Sequence, residues 1–265
     1  MFTVIFMIKA ALFDLTLPYP KKGARRVRVY VPAHGEDELL PVIYMTDGQN
    51  LFDEETGTWG CWHTREAMEA ERQSSGRAAI IVGIHNDNPW RDNELTPGSI
   101  GDVICAHLME GYTASEGESF DSFMLGTVKP YVEQHFPVMT GRENTAVCGS
   151  SSGGLQAFFA ALSHPEVFSA AGVFSPAFLL YGEDDMCRWI QSRLTAAQLP
   201  YLYIYTGAGD DLEMRIYQST EAVYDMLMAC YPMHLLNEIV LFEQPHHEKA
   251  WAQIFPDFIH TFLNK

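Results

Sequence analysis

Short apolar runs alternate along the chain with amphipathic stretches. The runs at 26–31, 41–45, 78–84, 145–148, 170–174, 202–205 and 238–242 are rich in Val, Ile, Tyr and Ala, and several lack polar alternation. Strands covered on both faces read that way, whereas a strand with one wet face alternates apolar and polar residues. Between them, 64–73, 120–136, 154–162, 184–194, 213–230 and 249–263 carry helical spacing. In 120–136 that spacing puts Phe120, Phe123, Met124, Val128, Tyr131, Val132 and His135 on one stripe. Strands alternating with helices predict an α/β protein with a mostly parallel central sheet flanked by helices. No repeat or low-complexity linker divides the chain, so one domain over 1–265 is expected. The longest stretch without a pattern is 85–117, and residues 86–118 are a candidate lid or substrate loop.

Two apolar segments need a decision. Residues 1–13 are mostly apolar but carry Lys9 in their middle. A secretory leader places its charge ahead of the apolar stretch, so a first β-strand is expected instead. Residues 144–165 contain no Asp, Glu, Lys or Arg, yet their centre is a Gly/Ser cluster. Such a cluster suits a tight turn and not a membrane helix. With no targeting or membrane signal, a cytoplasmic protein is expected.

Charge narrows the partners. Lys plus Arg is 17 against 34 for Asp plus Glu, a formal net charge of −17. Nucleic acid and anionic membrane surfaces are bound by clustered basic side chains, so both are disfavoured. A small-molecule substrate remains. The five cysteines are odd in number and widely spaced, which fits neither a zinc ribbon nor a CxxC redox site.

The segment Gly149-Ser150-Ser151-Ser152-Gly153 is G-x-S-x-G between a strand-like run and a helix-like one. This is the context of a nucleophile elbow, in which a serine sits on a sharp strand-to-helix turn. Flanking glycines are needed because a Cβ there would meet neighbouring backbone. The helix N-terminus then offers free N–H groups to a developing oxyanion. By register the nucleophile is Ser151.

A serine hydroxyl needs a base, and the base needs an orienting acid. In this chain order both follow the serine. His164, His234, His246, His247 and His260 are available. The first ends a helix too early, and His234 and His260 flank or occupy regular elements. His246 and His247 lie between the last strand and the last helix, where a base reaches the elbow. They do not form H-E-x-x-H, so metal chemistry is not indicated. The acid is expected after the strand 202–205, at Asp210, with Asp211 and then Glu213 as alternatives. An N-cap role competes at the same place.

Further residues carry a family likeness. Residues 41–52 contain Asp47-Gly48-Gln49-Asn50-Leu51-Phe52. Trp62 precedes a helix. Arg91 to Pro97 reads R-x-x-E-L-T-P. Gly149 to Gly154 is followed by Phe168 and by Phe174-Ser175-Pro176, and His246 to Trp251 closes the series. Together they resemble the Putative esterase family of α/β-hydrolases. That group includes esterase D, enterochelin-type esterases, and feruloyl and acetylxylan esterases. The resemblance implies an α/β-hydrolase fold and a serine carboxylic-ester hydrolase with a Ser151-His246-Asp210 triad and no cofactor. It favours His246 over His247, by spacing to Trp251. It places the oxyanion donors at the backbone N–H of Ser152 and of Gln49 or Gly48, and marks Trp62, Arg91 and Glu94 as substrate-pocket residues. Siderophore-trilactone, feruloyl or acetyl sugar-ester, or thioester substrates are alternatives within the family. A non-catalytic binding module and an acyltransferase are the alternatives outside it. The chain departs from the pattern at Ser152, where methionine is common, at Gln244-Pro245, where glycine is common, and over 102–119, which matches nothing in the family.

Overall fold

The computed structural model describes residues 7–20, 22–54, 59–109 and 111–265. Its main sheet has eight strands: β1 (Ala11–Tyr19), β2 (Gly23–Val31), β3 (Val42–Met45), β4 (Ile80–Ile84), β5 (Thr145–Ser150), β6 (Ala170–Phe174), β7 (Tyr201–Gly207) and β8 (Leu236–Leu241). Their order across the sheet is β8-β7-β6-β5-β3-β4-β2-β1. Neighbours from β8 to β4 run parallel, while β2 is antiparallel to both β4 and β1. All seven predicted strands are in it. The eighth, β1, is an edge strand that begins within the span 1–13 where a first strand is expected and runs on to Tyr19, and the mixed pattern of its wet positions hid that extension from the sequence. The strand expected over 1–13 is met in part, at Met7–Ile8 and at the start of β1. Residues 1–6 lie outside the described residues, and Met7–Ile8 pairs with His34–Gly35 in a separate two-stranded ladder.

The absence of alternation in the central runs has a simple cause. Along β3, Val42 and Tyr44 join one apolar cluster, while Ile43 and Met45 join a second on the opposite face. The first face is covered by α2 (Gly117–Phe123), α4 (Ser152–Ser163), α5 (Glu183–Arg193) and α6 (Asp211–Met228), through residues such as Phe120, Phe158, Trp189 and Val223. The second is covered by α1 (Thr64–Ser75) and α7 (Glu248–Leu263), through Met68, Trp251, Phe255 and Phe258. Each such side chain contributes roughly 1.5–3 kcal/mol by leaving water. Among the described residues, no helix is long and apolar enough to cross a membrane.

The predicted helix over 120–136 is a run of three pieces. Between α2 and α3 (Lys129–His135) lies a π turn, Met124–Val128. Its wider turn alters the phase of the stripe. Phe120, Phe123, Met124, Val128 and Val132 stay buried, but half-buried Tyr131 and exposed His135 stack ring on ring at 4.0 Å instead. The candidate lid is fastened at several points. Glu94, in the helical turn Arg91–Glu94, is fully buried and takes two bonds of 2.6 Å from Arg25 on β2. The Gln156 side-chain amide on α4 donates to Gly117 O at 3.0 Å, and Tyr181 O–H donates to Pro97 O at 2.5 Å.

The chain leaves β3 for β4 on one side and returns to β5 on the other. The strand order reverses between β3 and β5, so their carboxyl ends open a crevice where α/β sheets place ligands. Residues 46–50 and Ser151 stand at that point.

One part-buried pair makes stability pH-dependent. His164 caps the carboxyl end of α4, and its Nε2 lies 2.6 Å from Asp121 Oδ2 on α2. The Asp121 carboxylate holds the imidazole proton and raises the His164 pKa above its ordinary value. A raised folded pKa means the contribution is complete below the unfolded pKa of about 6.5 and is lost as pH rises through the folded value. His164→Gln should therefore lower stability by on the order of 1–2 kcal/mol near pH 6 and by much less at pH 9, as read by urea melts at both values.

Candidate active site

Ser151 sits between the last residue of β5 and the first of α4 with φ 58° and ψ −127°. A non-glycine residue rarely adopts positive φ, and such strain persists only where the surroundings over-determine it. Here they do. Ser151 N–H donates to Phe174 O at 3.0 Å, and Ser151 O accepts from Leu155 N–H at 3.0 Å and Ala177 N–H at 3.1 Å. A Cβ on Gly149 or Gly153 would overlap the Thr46 hydroxyl, and one on Gly154 would lie 2.6 Å from Phe174 O. The glycines thus let β3, β6 and the elbow close on one another.

The carboxylate beside the histidine is not the first choice, Asp210, but the third, Glu213. Glu213, on the first turn of α6, places Oε2 2.5 Å from His246 Nδ1. Its other oxygen accepts from Ser175 O–H at 2.5 Å and from Gly207 N–H at 2.7 Å. The carboxylate is fully buried, and both its oxygens have partners. Asp210 stands one turn earlier in extended conformation as the N-cap of α6, accepting from Glu213 N–H at 2.8 Å. Its second oxygen accepts from the backbone N–H of His246, also at 2.8 Å, so it holds the loop and not the imidazole ring. Burial works against the Asp210 charge, but these two amides outweigh it and hold its pKa below the usual carboxylate range. The physical reason is reach. Asp210 is consumed by the cap, while the longer Glu213 extends from the next turn into the interior. Asp211 lies exposed on the same turn.

The two histidines also separate. His247 is the N-cap of α7, its Nδ1 accepting from Lys249 N–H at 3.1 Å. His246 packs edge-on against Trp251 at 5.1 Å between ring centroids. The Trp251 indole N–H donates to Ser175 Oγ at 2.8 Å, so the ring under His246 is tied to the partner of Glu213. Ser175 enters the sequence reading only as part of a motif. Its positive φ of 41° is the geometric mark of its position.

Across the crevice, Asp47 adopts φ 54° and leads into the single 3₁₀ turn Gly48–Asn50. Asn50 N–H closes the turn on Asp47 O at 2.8 Å. The N–H groups of Gly48 and Gln49 precede that first bond, as those of Ser152 and Gly153 do in α4. Arg91 forks onto Asp47, with Nε to Oδ1 at 2.6 Å and Nη2 to Oδ2 at 2.9 Å, and Nη2 also reaches Ser150 O at 3.3 Å. Burial opposes the Arg91 charge, but Asp47 and Asp92 overcome it and raise its pKa.

The expected pocket residues fare differently. Trp62 is 2% exposed and packs on Phe174, Phe255 and Trp251 at 5.0 to 5.7 Å, so it is a core residue. Glu94 is spent on Arg25 in the interior. Arg91 borders the crevice, but its guanidinium is engaged by two carboxylates. A cavity of 720 Å³ is lined by Phe178, Tyr181, Met186, Arg188 and Val223, and neither Ser151 nor His246 borders it.

A buried carboxylate joins the two sides. Glu248 Oε1 accepts from the Asn50 side-chain amide at 3.1 Å. Burial above all, with repulsion from Asp47 adding to it, pushes Glu248 up to about 7. The folded state therefore keeps this proton longer than the unfolded chain, whose ordinary value is 4.5. Stability must fall as pH rises between those values and stay lower above them. Glu248→Gln, which keeps the acceptor, should remove on the order of 2–3 kcal/mol of that decline. Thermal melts of both proteins from pH 5 to 8 check this.

Comparison with known proteins follows the same lines. A model of the Esterase family, described as Putative esterase, matches residues 21–222. The siderophore triacetylfusarinine C esterase of Aspergillus fumigatus is 33% identical over 164 residues, 57% of this chain and 50% of that protein. The uncharacterized protein YbbA of Bacillus subtilis is 26% identical over 163 residues, 60% of this chain and 59% of its own length. The chain thus spans little more than half the length of these curated relatives. The solved siderophore hydrolase EstA from Aspergillus nidulans superposes with a TM-score of 0.75 at 19% identity, covering 94% of each chain. That likeness is one of fold, the α/β-hydrolase fold. With the family model matched across most of the chain, from just before β2 into α6, the helix that carries Glu213, this chain belongs to the Putative esterase family.

Proposed function

We propose that the protein is a serine carboxylic-ester hydrolase with a Ser151-His246-Glu213 triad. The observation that carries this reading is the strained Ser151 backbone at the strand–helix junction, which lifts a hydroxyl to the head of α4. In this reading Ser151 Oγ attacks the ester carbonyl. His246 takes the hydroxyl proton and returns it to the departing alcohol. Glu213 fixes the ring so that Nδ1 carries the hydrogen and Nε2 faces the serine. The N–H groups of Ser152 and of Gln49 or Gly48 hold the oxyanion, each typically worth roughly 3 kcal/mol in the transition state. Water then releases the acyl group by the same proton path. The chemistry is complete with side chains and backbone.

The 33% identity to a siderophore esterase makes siderophore esters the first natural substrate class to test. Sugar esters and thioesters follow, since fold alone does not choose among them. In this reading the protein acts on a small ester in the cytoplasm.

Wild type should release p-nitrophenol from short acyl esters and be labelled by a fluorophosphonate. Ser151→Ala should lose both, with turnover down by several orders of magnitude. An unlabelled, inert wild type would favour a binding module instead. Glu213→Gln should lower kcat by roughly 10³–10⁴-fold by fixing the wrong tautomer. Asp210→Asn, which keeps a capping oxygen, should change kcat by less than about tenfold. The reverse ranking would return the acid role to Asp210.

A further inference from the structure

The two candidate oxyanion donors come from segments about a hundred positions apart, and one short chain of side chains joins them. Asp47, immediately before Gly48 and Gln49, receives the fork of Arg91. Arg91 Nη1 donates to Asp92 Oδ1 at 3.1 Å. The same Asp92 oxygen accepts from Ser152 Oγ–H at 2.8 Å. Ser152 is 4% exposed and is the first residue of α4. The relay Asp47–Arg91–Asp92–Ser152 therefore spans the crevice, and Arg91 adds a bond to Ser150 O just ahead of the nucleophile. The Ser152 link exists only because this chain carries a hydroxyl where the family commonly has methionine.

We propose that Asp92, through Ser152 and Arg91, is a positioning residue that sets the spacing of the two halves of the oxyanion hole. This rests on the reading of Ser151 as nucleophile. Asp92 touches no reacting atom in it. It acts by fixing the N-terminal turn of α4 against the turn Gly48–Asn50. Oxyanion donors act only when they are aimed at the oxygen of the transition state, and a displacement near 1 Å can cost about 10²-fold in rate. Arginine is suited to the central place because its planar fork holds two partners at fixed angles, which a lysine cannot do. Asp92 and Arg91 are each about a quarter accessible, so the relay is not sealed in the core.

The test measures kcat and KM on a p-nitrophenyl ester for wild type, Ser151→Ala, Asp92→Ala, Asp92→Asn, Ser152→Ala and the double variant Asp92→Ala/Ser152→Ala. The expected result is a 10- to 100-fold fall in kcat for Asp92→Ala and Ser152→Ala, with KM within about twofold. The double variant should be no slower than the slower single one, because both changes cut the same link. Asp92→Asn keeps an acceptor for Ser152 and should recover most of the loss. Unchanged kcat in both alanine variants, or losses that multiply in the double variant, overturns the positioning role alone. Turnover that survives Ser151→Ala overturns the hydrolase reading and the positioning role with it. Should Asp92→Ala fail to fold, Ser152→Ala and Asp92→Asn decide the matter, since each alters a single hydrogen-bonding group.

Discussion

A charge removed from water must be met by donors, and the architecture around the crevice follows from meeting the charge of Glu213. Its carboxylate is fully buried at the carboxyl edge of the sheet. The donors come from the end of β6 through Ser175, from the end of β7 through Gly207, and from the loop before α7 through His246. Removing one partner of such a group is costly because the remaining charge cannot be hydrated. The requirement therefore locks three elements at fixed distances around one carboxylate. Trp251 extends the lock by donating to Ser175 from α7 while forming a wall for the His246 ring. The unusual backbone of Ser175 is what brings its hydroxyl to the meeting point.

The opposite wall solves the same problem with cations. Asp47 is 4% exposed and is met by Arg91, and Glu94 is met by Arg25. In a chain with only 17 Lys and Arg against 34 Asp and Glu, arginines are drawn inward to serve buried carboxylates. The negative surplus is left to the surface, where water screens it. This division explains how so acidic a protein supports buried carboxylates on both sides of one crevice. It also explains why the loop carrying Arg91 and Glu94 is held to the body at both residues.

Much of this was legible from residue order. The seven central runs were readable because strands covered on both faces lose polar alternation, and the elbow was readable because its glycines and serines stand in fixed register. The extension of the edge strand β1 to Tyr19, beyond the expected span 1–13, was hidden by its wet positions. The π turn was hidden because apolar spacing cannot report a widened helical turn. The order of the candidate carboxylates differs from the contacts on the His246 ring for another reason. Asp210 is the first carboxylate after β7, and sequence order cannot tell which carboxylate is spent on a cap and which extends inward. The pattern Asp210-x-x-Glu213 is a capping-box spacing, and that signal pointed to a cap at the first position. Trp62 and Glu94 were read as pocket residues because motif positions near a site include those that support its walls from behind.

The bonds that close the crevice join parts of the chain far apart in sequence. Asn50 and Glu248 are separated by 198 positions, and Arg91 and Ser150 by 59. Contacts of that span repay their loop-closure entropy only after nearer pairings have shortened the path between them. The parallel strands between β3 and β8 must be in register before Glu248 can find Asn50. The closed crevice is thus a late product of folding. The same bonds are the ones whose local opening leaves most of the sheet intact, so the crevice can loosen on its own while the protein stays folded.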